Sequence, residues 1–568
     1  MRFLLATALF IVSISLLLVG LAQRTIWAPP ATFTVSLKGE VLQPYLVIPQ
    51  EALALMSGDA SISASGEGSV FIGVGAEADV SSWVGSSNQA IAEINEEGDS
   101  LAVSEKLGTG ELANPAGSDL WQSETVAEGF STLTVPSGDD LAVLVASDGT
   151  AVAPENIVIT WPIEPPTLTS NIFLGSGLVL LVIAILFNLF AVRKMIKNRG
   201  PRRKVPKAPQ GPRYRPKKTN YDLPKRGRRS AARKIAVVPL SIGLVFALSG
   251  CQSVAVPIPT PSVSESASVS IVDEIKPAVT IAQVSKILSK IQEVVAKADE
   301  SGDAELLKTR VAGPSLSLRE TNYVLRSKSG DVPLLAPISS TLISLNIISK
   351  TDLWPRSFML VTGASDELPQ ALVIQQLSPR EPYKLTYNIE LLPGAAFPDV
   401  SAPQEGSIPL EPDSLLLKVK PLDLATSYGD VVDKGTESEF YNLFDLLGDQ
   451  FYDQISATQK AQPEKLADAT TTFAHVLADE NVISLATSDS GAVVALMMTD
   501  TWEIRPNNSG SVVAVTGNER LLLGSEVSTQ GVSTQYGNML LFYVPISDST
   551  QKIKLLGATQ ALLSIRSL

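Results

Sequence analysis

Apolar residues along the chain fall into three kinds of pattern. Phe3 to Gln23 and Ile172 to Val192 are uncharged runs of 21 residues each, long enough for a helix that crosses a bilayer, which needs roughly 20. A third run, Ile235 to Gly250, has 16 residues and contains Pro239; it is short for a span and matches the core of a signal peptide, roughly 7–15 residues. Between the first two runs the pattern alternates. Ala31–Leu37, Ser131–Val135, Leu141–Val145 and Asn156–Trp161 are short β-branched stretches divided by turn signals at Ser137-Gly-Asp-Asp140 and Ser147-Asp-Gly149, which predicts a β-sandwich-like domain over 28–168. A short helix is predicted to start at Ala78. Beyond residue 275, Ile281, Val284, Ile287, Leu288, Ile291, Val294 and Val295 recur at three and four, the spacing of an amphipathic helix packed on its own domain.

A second helical stretch takes in Arg310 to Arg319 and Tyr323. Strands are predicted at Ser357–Val361, Gln370–Gln375 and Tyr383–Asn388. The order then recurs: helices at 437–454 and 463–478, strands at Val482–Leu485, Ala492–Met497 and Met539–Val544. The fold class read from the sequence is therefore a multi-domain, membrane-anchored chain. It has an N-terminal β-sandwich-like outer domain and a C-terminal α+β domain of two helix-then-antiparallel-sheet halves (275–400 and 410–568), NTF2-like in appearance. Two to three transmembrane segments complete it: a helix or signal peptide at 3–23, a helix at 172–192, and the 235–250 segment.

Charge orients this layout. Residues 193–234 hold 18 of the 45 Lys and Arg but only one acid, Asp222, leaving 27 basic against 57 of the 58 acidic residues elsewhere. Short basic loops stay in the cytoplasm, so 24–171 and 251–568 are expected outside, at the plasma membrane of a bacterium. The loop's six prolines mark it as disordered, suited to anionic headgroups; with Tyr214 and Tyr221 alone to stack, nucleic acid is not an expected partner. For 3–23 both a removed signal peptide, with Gly20-Leu21-Ala22 as cleavage site, and a retained anchor stay open; its length and Arg24 favour retention.

Leu248-Ser249-Gly250-Cys251 ends the third apolar run at the only cysteine and resembles the bacterial lipobox, which implies cutting before a lipidated Cys251. A single cysteine also rules out disulfides within the chain. Residues 251–274, rich in Pro and Ser, form a tether. Gly68–Val84, Leu120-Trp121 and Asp140–Gly149 resemble the outer part of uncharacterised actinobacterial membrane proteins. Arg310–Tyr323 resembles a recurrent motif in a C-terminal domain of unknown function in actinobacterial lipoproteins. Neither resemblance implies an activity; Arg310 and Arg319 are expected to pin a helix to a sheet, and Tyr323 to sit in the core.

No catalytic, cofactor-binding or metal-binding residue is expected. Gly73-Val-Gly-Ala-Glu-Ala78 fits a loose dinucleotide fingerprint with Glu96 about 20 residues on, but its all-β surroundings make it a tight turn. His475, the only histidine, is expected to pack in a helical run. Ser549-Thr-Gln-Lys552 lacks the companion motifs of S-x-x-K enzymes, and Asn95–Asp99 and Asp139-Asp140 lack EF-hand spacing. The expected function is non-enzymatic binding or scaffolding in the envelope, with membrane lipid contacted through the helices and Cys251, and an envelope protein, polymer or lipid as ligand. The alternative is an envelope hydrolase or transferase using paired carboxylates, whose mark is a cluster of acids with raised pKa in a pocket.

Overall fold

The computed structural model describes residues 2–28, 30–95, 97–163, 168–197, 275–339, 341–363, 368–466 and 468–568. Leu248, Ser249, Gly250, Cys251, the third apolar run, the tether and most of the basic loop lie outside the described residues. The chain forms two compact units, 1–28 with 166–272, and 29–165 with 273–568.

In the first unit, α1 (Arg2–Thr25) and α4 (Leu168–Lys197) pair antiparallel; in sequence they bracket the short helices α2 (Gln50–Leu53) and α3 (Glu77–Val84). Both long helices carry stretches apolar and long enough to cross a membrane, Leu4–Thr25 and Thr169–Lys197. Their seam uses small residues: Ala6, Ser13 and Ala184 are buried, and the Ser13 hydroxyl donates to the Gly177 carbonyl at 2.7 Å. A Cβ on Gly20 would meet Leu174, and one on Gly177 would meet Leu17 at 2.9 Å. Such close backbone approach is how helices associate in lipid, where apolar side chains gain nothing by leaving the hydrocarbon. Gly177→Val should therefore separate the pair. A disulfide between Leu17→Cys and Leu174→Cys that forms as readily with Gly177→Val as without it would overturn this.

The second unit has two lobes. The β lobe holds β1 (Thr32–Leu37), β2 (Tyr45–Ile48), β3 (Ala60–Ala76), β4 (Gln89–Ile94), β5 (Ser100–Lys106), β6 (Ser123–Val135), β7 (Leu141–Ala146) and β8 (Asn156–Pro162). The sandwich expectation is corrected in its detail. The strands form one mixed sheet in the order β6-β3-β7-β2-β4-β5-β1-β8, and β8 pairs back onto β3, closing the sheet on itself. The 17-residue β3 makes this closure: Ser61–Ser65 pair with β8, Phe71–Ala76 with β7, and β6 runs along the opposite edge. The continuous apolar run of β7 is buried on both faces. Val143 and Val145 face the closed core with Ile62, Ile72 and Trp161. Ala142, Leu144 and Ala146 face outward onto an aromatic cluster of Tyr45, Phe71, Trp83 and Trp121.

The α+β lobe begins with α5 (Ile281–Ser301), α6 (Ala304–Lys308) and α7 (Gly313–Lys328), followed by an antiparallel sheet of β9 (Leu342–Ile348), β10 (Arg356–Thr362), β11 (Gln370–Gln376) and β12 (Lys384–Glu390). Then come α8 (Pro421–Lys434) and α9 (Gln450–Lys465), and strands β13 (Ala469–Leu477), β14 (Ile483–Ala486), β15 (Ala492–Pro506), β16 (Val513–Ala514), β17 (Val527–Ser528), β18 (Val532–Val544) and β19 (Lys554–Ser567), with α10 (Gly517–Leu523) between β16 and β17. Helix-then-sheet thus occurs twice, but the predicted helices at 437–454 and 463–478 are corrected to α8 and α9 upstream. Pro421 opens α8 and Gly435 caps it, while the β-branched run Thr470–Thr472 belongs to β13.

The two sheets meet face to face. Met359, Val361, Val373 and Tyr387 interleave with Val493, Met497, Leu541 and Leu556. The alternate residues Phe358, Leu360, Leu372 and Ile374 turn to α5, and Val494, Leu496, Leu540 and Phe542 turn to α8 and α9. Period-two alternation across two stacked sheets gives four layers, helix-sheet-sheet-helix.

Candidate functional site: the charged seam between the lobes

The seam is built outward from α5. One stripe of this helix, Val284, Ile287, Leu288, Ile291, Val295 and Ala298, is buried against its own sheet. A neighbouring stripe, Gln283, Lys286 and Lys290, runs down the helix at three and four and reaches the β lobe. Thr280 and Gln283 form a capping box at the helix start, and the Gln283 amide donates onward to the carbonyls of Asp119 and Leu120 at 3.2 and 3.0 Å. Lys286 pairs with Glu124 at 3.2 Å.

Asp119 is the centre. Its side chain has no solvent exposure. It accepts from Lys290 at 2.9 Å, from the Arg310 guanidinium, and from the backbone N–H of Tyr383 at 3.0 Å. Burial alone would lift this carboxyl, but the Arg310 and Lys290 cations outweigh it and hold Asp119 below the usual carboxylate range. The chain around it is fixed by the neighbouring Trp121, whose ring N–H donates to the Pro115 carbonyl at 2.7 Å.

A second buried pair stands beside it. Arg356 donates to Asp79 on α3 at 2.5 Å and stacks 3.8 Å from the Trp354 ring centroid, and Trp354 itself packs on the aromatic cluster of the β lobe. With one cation instead of two, burial wins here and Asp79 is raised above its ordinary value. Arg380 caps the other end of α3: its guanidinium donates to the carbonyls of Trp83, Val84 and Glu111 and to the Ser87 hydroxyl. A cation there satisfies helix carbonyls that have no partner within the helix. Lys276 pairs with Asp140 at 3.1 Å. The acids come from the β lobe and the cations from the α+β lobe throughout.

The structure brings together two of the segments singled out in the sequence, since Arg310 meets the residue preceding Leu120-Trp121. Arg310 therefore pins lobe to lobe, and Arg319 pins helix to helix: it donates to Asp299 of α5 at 2.5 Å, and the Tyr323 hydroxyl donates to the same carboxylate at 2.6 Å. The glycine motif is corrected. Gly73 to Ala76 are strand, not a turn, and Cβ atoms on Gly73 and Gly75 would strike Phe71, Trp121 and the Leu120 carbonyl; α3 begins at Glu77. The glycines make room for Trp121. The Asn95 side chain accepts from the N–H groups of Asp99 and Ser100.

His475 is also corrected, from a helical run to strand β13. Its ring bonds Asp500 at 2.5 Å and Asp433 at 2.9 Å, with the Gln459 amide at 3.0 Å. Burial would lower its pKa, but the two carboxylates outweigh this and raise it to about 9. α8 crosses so close that a Cβ on Gly429 would collide with His475.

Acids gather in one open cleft of about 570 Å³, where Asp399, Asp445 and Asp489 meet Tyr543, Lys552 and Lys554. Hydrogen bonds from Thr487, Tyr543 and the Gly491 N–H overcome the effect of burial and lower the Asp489 pKa. Asp449 is raised by burial, but it caps α9 and accepts from Tyr428. Among the described residues, no group of three His, Cys, Asp or Glu is placed to hold a metal ion.

Fold and seam define a two-lobed protein, the smaller lobe a closed β sheet and the larger a four-layer α+β body, with two membrane-length apolar helices among the described residues. A family model described as a domain of unknown function (DUF8094) matches residues 275–566, more than half of the chain, and the protein belongs to that family. Neither a curated protein nor a solved structure matches it. All the seam's cations lie within the matched residues, and its acids lie outside them.

Sequence reasoning missed Asp119, Asp79, Arg356 and Arg380. The signal was a lone charge inside an apolar stretch, as in Asp119-Leu-Trp121 and Arg356-Ser-Phe-Met-Leu-Val361: a charge that must be buried needs a partner.

Proposed function

We propose that this is a membrane-anchored bacterial cell-envelope protein without enzymatic activity. Its two lobes lie outside the plasma membrane as one binding or scaffolding body, residues 193–234 lie in the cytoplasm, and the α+β lobe is lipidated at Cys251 after processing. The seam carries the reading. It joins residues that precede α4 to residues that follow the basic loop, so both lobes belong on one side, and a chain that enters the cytoplasm through α4 must return before residue 275. The signal-like run 235–250 is the segment suited to that return. The packing of α1 against α4 supports a retained anchor at the N-terminus. A paired-carboxylate enzyme would find its acids in the Asp399–Asp445–Asp489 cleft, where the pKa of Asp489 is lowered and not raised as a general acid needs.

Processing is tested by immunoblots of a chain tagged at both ends, with and without a signal peptidase II inhibitor, beside Cys251→Ala. The expected result is two roughly half-length fragments that disappear in both treatments and that co-purify when either tag is pulled. A full-length band in every lane would make 235–250 a third span and remove lipidation from the proposal.

A further inference from the structure

Between α7, α10 and the middle of β18 and β19 lies a cleft of about 320 Å³, within the size range of small-molecule sites. Its wall is one face of α7: Leu318, Asn322 and Leu325 follow one another at four and three. The segment 332–335 covers it, β19 supplies Ala561 and Leu562, and α10 supplies Asn518 and Glu519. Leucine, valine and alanine side chains share the lining with Asn322, Asn518, Glu519, Tyr536 and Gln560.

Asn322 is 9% exposed. Its amide nitrogen donates to the Pro333 carbonyl at 2.9 Å, which fixes the orientation of the side chain, and its Oδ1 is buried without a partner. A buried acceptor left empty costs free energy that a hydrogen bond recovers. Nearby, Glu519 accepts from the Tyr536 hydroxyl at 2.5 Å, so the carboxylate is held at the cleft by a residue that also lines it. A narrower pocket shares the walls Leu318 and Leu335 and contains Asn388, whose Oδ1 also lacks a partner. Both unsatisfied groups are acceptors, and the charge at the mouth is negative.

We infer that this cleft binds a small molecule with an apolar body and a hydrogen-bond-donating head, an amine or hydroxyl, with the head on Asn322 Oδ1. This gives the proposed binding role a chemical class. It does not depend on processing at Cys251: failure of the ligand test would leave fragment co-purification unchanged, and the reverse also holds.

The test is saturation-transfer NMR on the full chain in lipid nanodiscs with benzylammonium, benzyl alcohol and benzoate. Benzylammonium and benzyl alcohol are expected to bind, and benzoate at least tenfold more weakly, because an acceptor head faces acceptors. Asn322→Leu, which replaces the unsatisfied amide with an apolar group of similar shape, should weaken benzylammonium about tenfold without lowering the melting temperature. Glu519→Gln, on the cleft rim, should weaken benzylammonium alone and spare benzyl alcohol; it decides the matter should Asn322→Leu not fold. Equal binding of benzoate, binding of no probe, or benzylammonium binding unchanged in both variants would overturn the inference.

Discussion

Replacing Asp119 with alanine should cost the two-lobed body about 3–5 kcal/mol, the range for removing one partner of a buried pair. The loss comes less from the missing attraction than from what stays behind. Arg310 and Lys290 would lie side by side on the α+β face of the seam with no anion between them, and the Tyr383 N–H would lose its acceptor. Truncating an exposed pair such as Lys38 with Asp99 should move stability by well under 1 kcal/mol, which supplies the control. A cycle with Arg310→Ala gives the sharper test. Because the second substitution removes part of the uncompensated charge, the double variant should be less damaged than the sum of the singles. Urea unfolding followed by the fluorescence of the interfacial Trp83, Trp121 and Trp354 would measure it. If the chain is cut, the same substitution should release the β-lobe fragment from the α+β fragment on a sizing column. An Asp119→Ala protein within 0.5 kcal/mol of the parent, with its lobes still associated, would show that the seam does not depend on the Asp119 cluster.

Much of the fold was legible because it rests on periodicity. The three-and-four spacing from Ile281 to Val295 gives α5 and its buried stripe directly, and the alternating runs give β1, β7, β8, β10 and β11. The closed β sheet was not legible, because closure depends on how β7 and β8 divide one edge of β3: residues 61–65 take β8 and 71–76 take β7, and nothing local in the sequence encodes that division. The helices near 437–478 were misplaced: in the structure Tyr441 lies in a 3₁₀ turn, Phe451 in α9 and Phe473 in β13. The seam was half legible. Arg310 stands out in its motif, but its partner is 191 residues away, and a contact at that separation leaves no trace in spacing or composition. The same limit hid the histidine cluster, whose members Asp433, Gln459, His475 and Asp500 come from four different elements.

That cluster supplies the second large effect, a loss of stability in alkali. The His475 pKa in the folded protein is about 9, against an ordinary 6.5. The folded state therefore holds this proton more tightly than the unfolded chain. Its contribution is fully present below about pH 6.5 and declines as pH rises through 9; the gap corresponds to on the order of 3 kcal/mol. The sign follows from geometry. Asp500 has no exposed side-chain surface and Asp433 only part, so deprotonating the imidazole leaves two carboxylates across a neutral ring at the α8–β13 contact. His475→Gln can still hydrogen-bond but carries no charge. It should cost about 3–5 kcal/mol at pH 6 and much less relative to the parent at pH 10, where the parent has already lost the proton. The difference between the two proteins, taken from urea midpoints at pH 6, 8 and 10, cancels the titration of lysines and tyrosines that both share. Parallel curves across that range would mean that the imidazole is neutral in the fold.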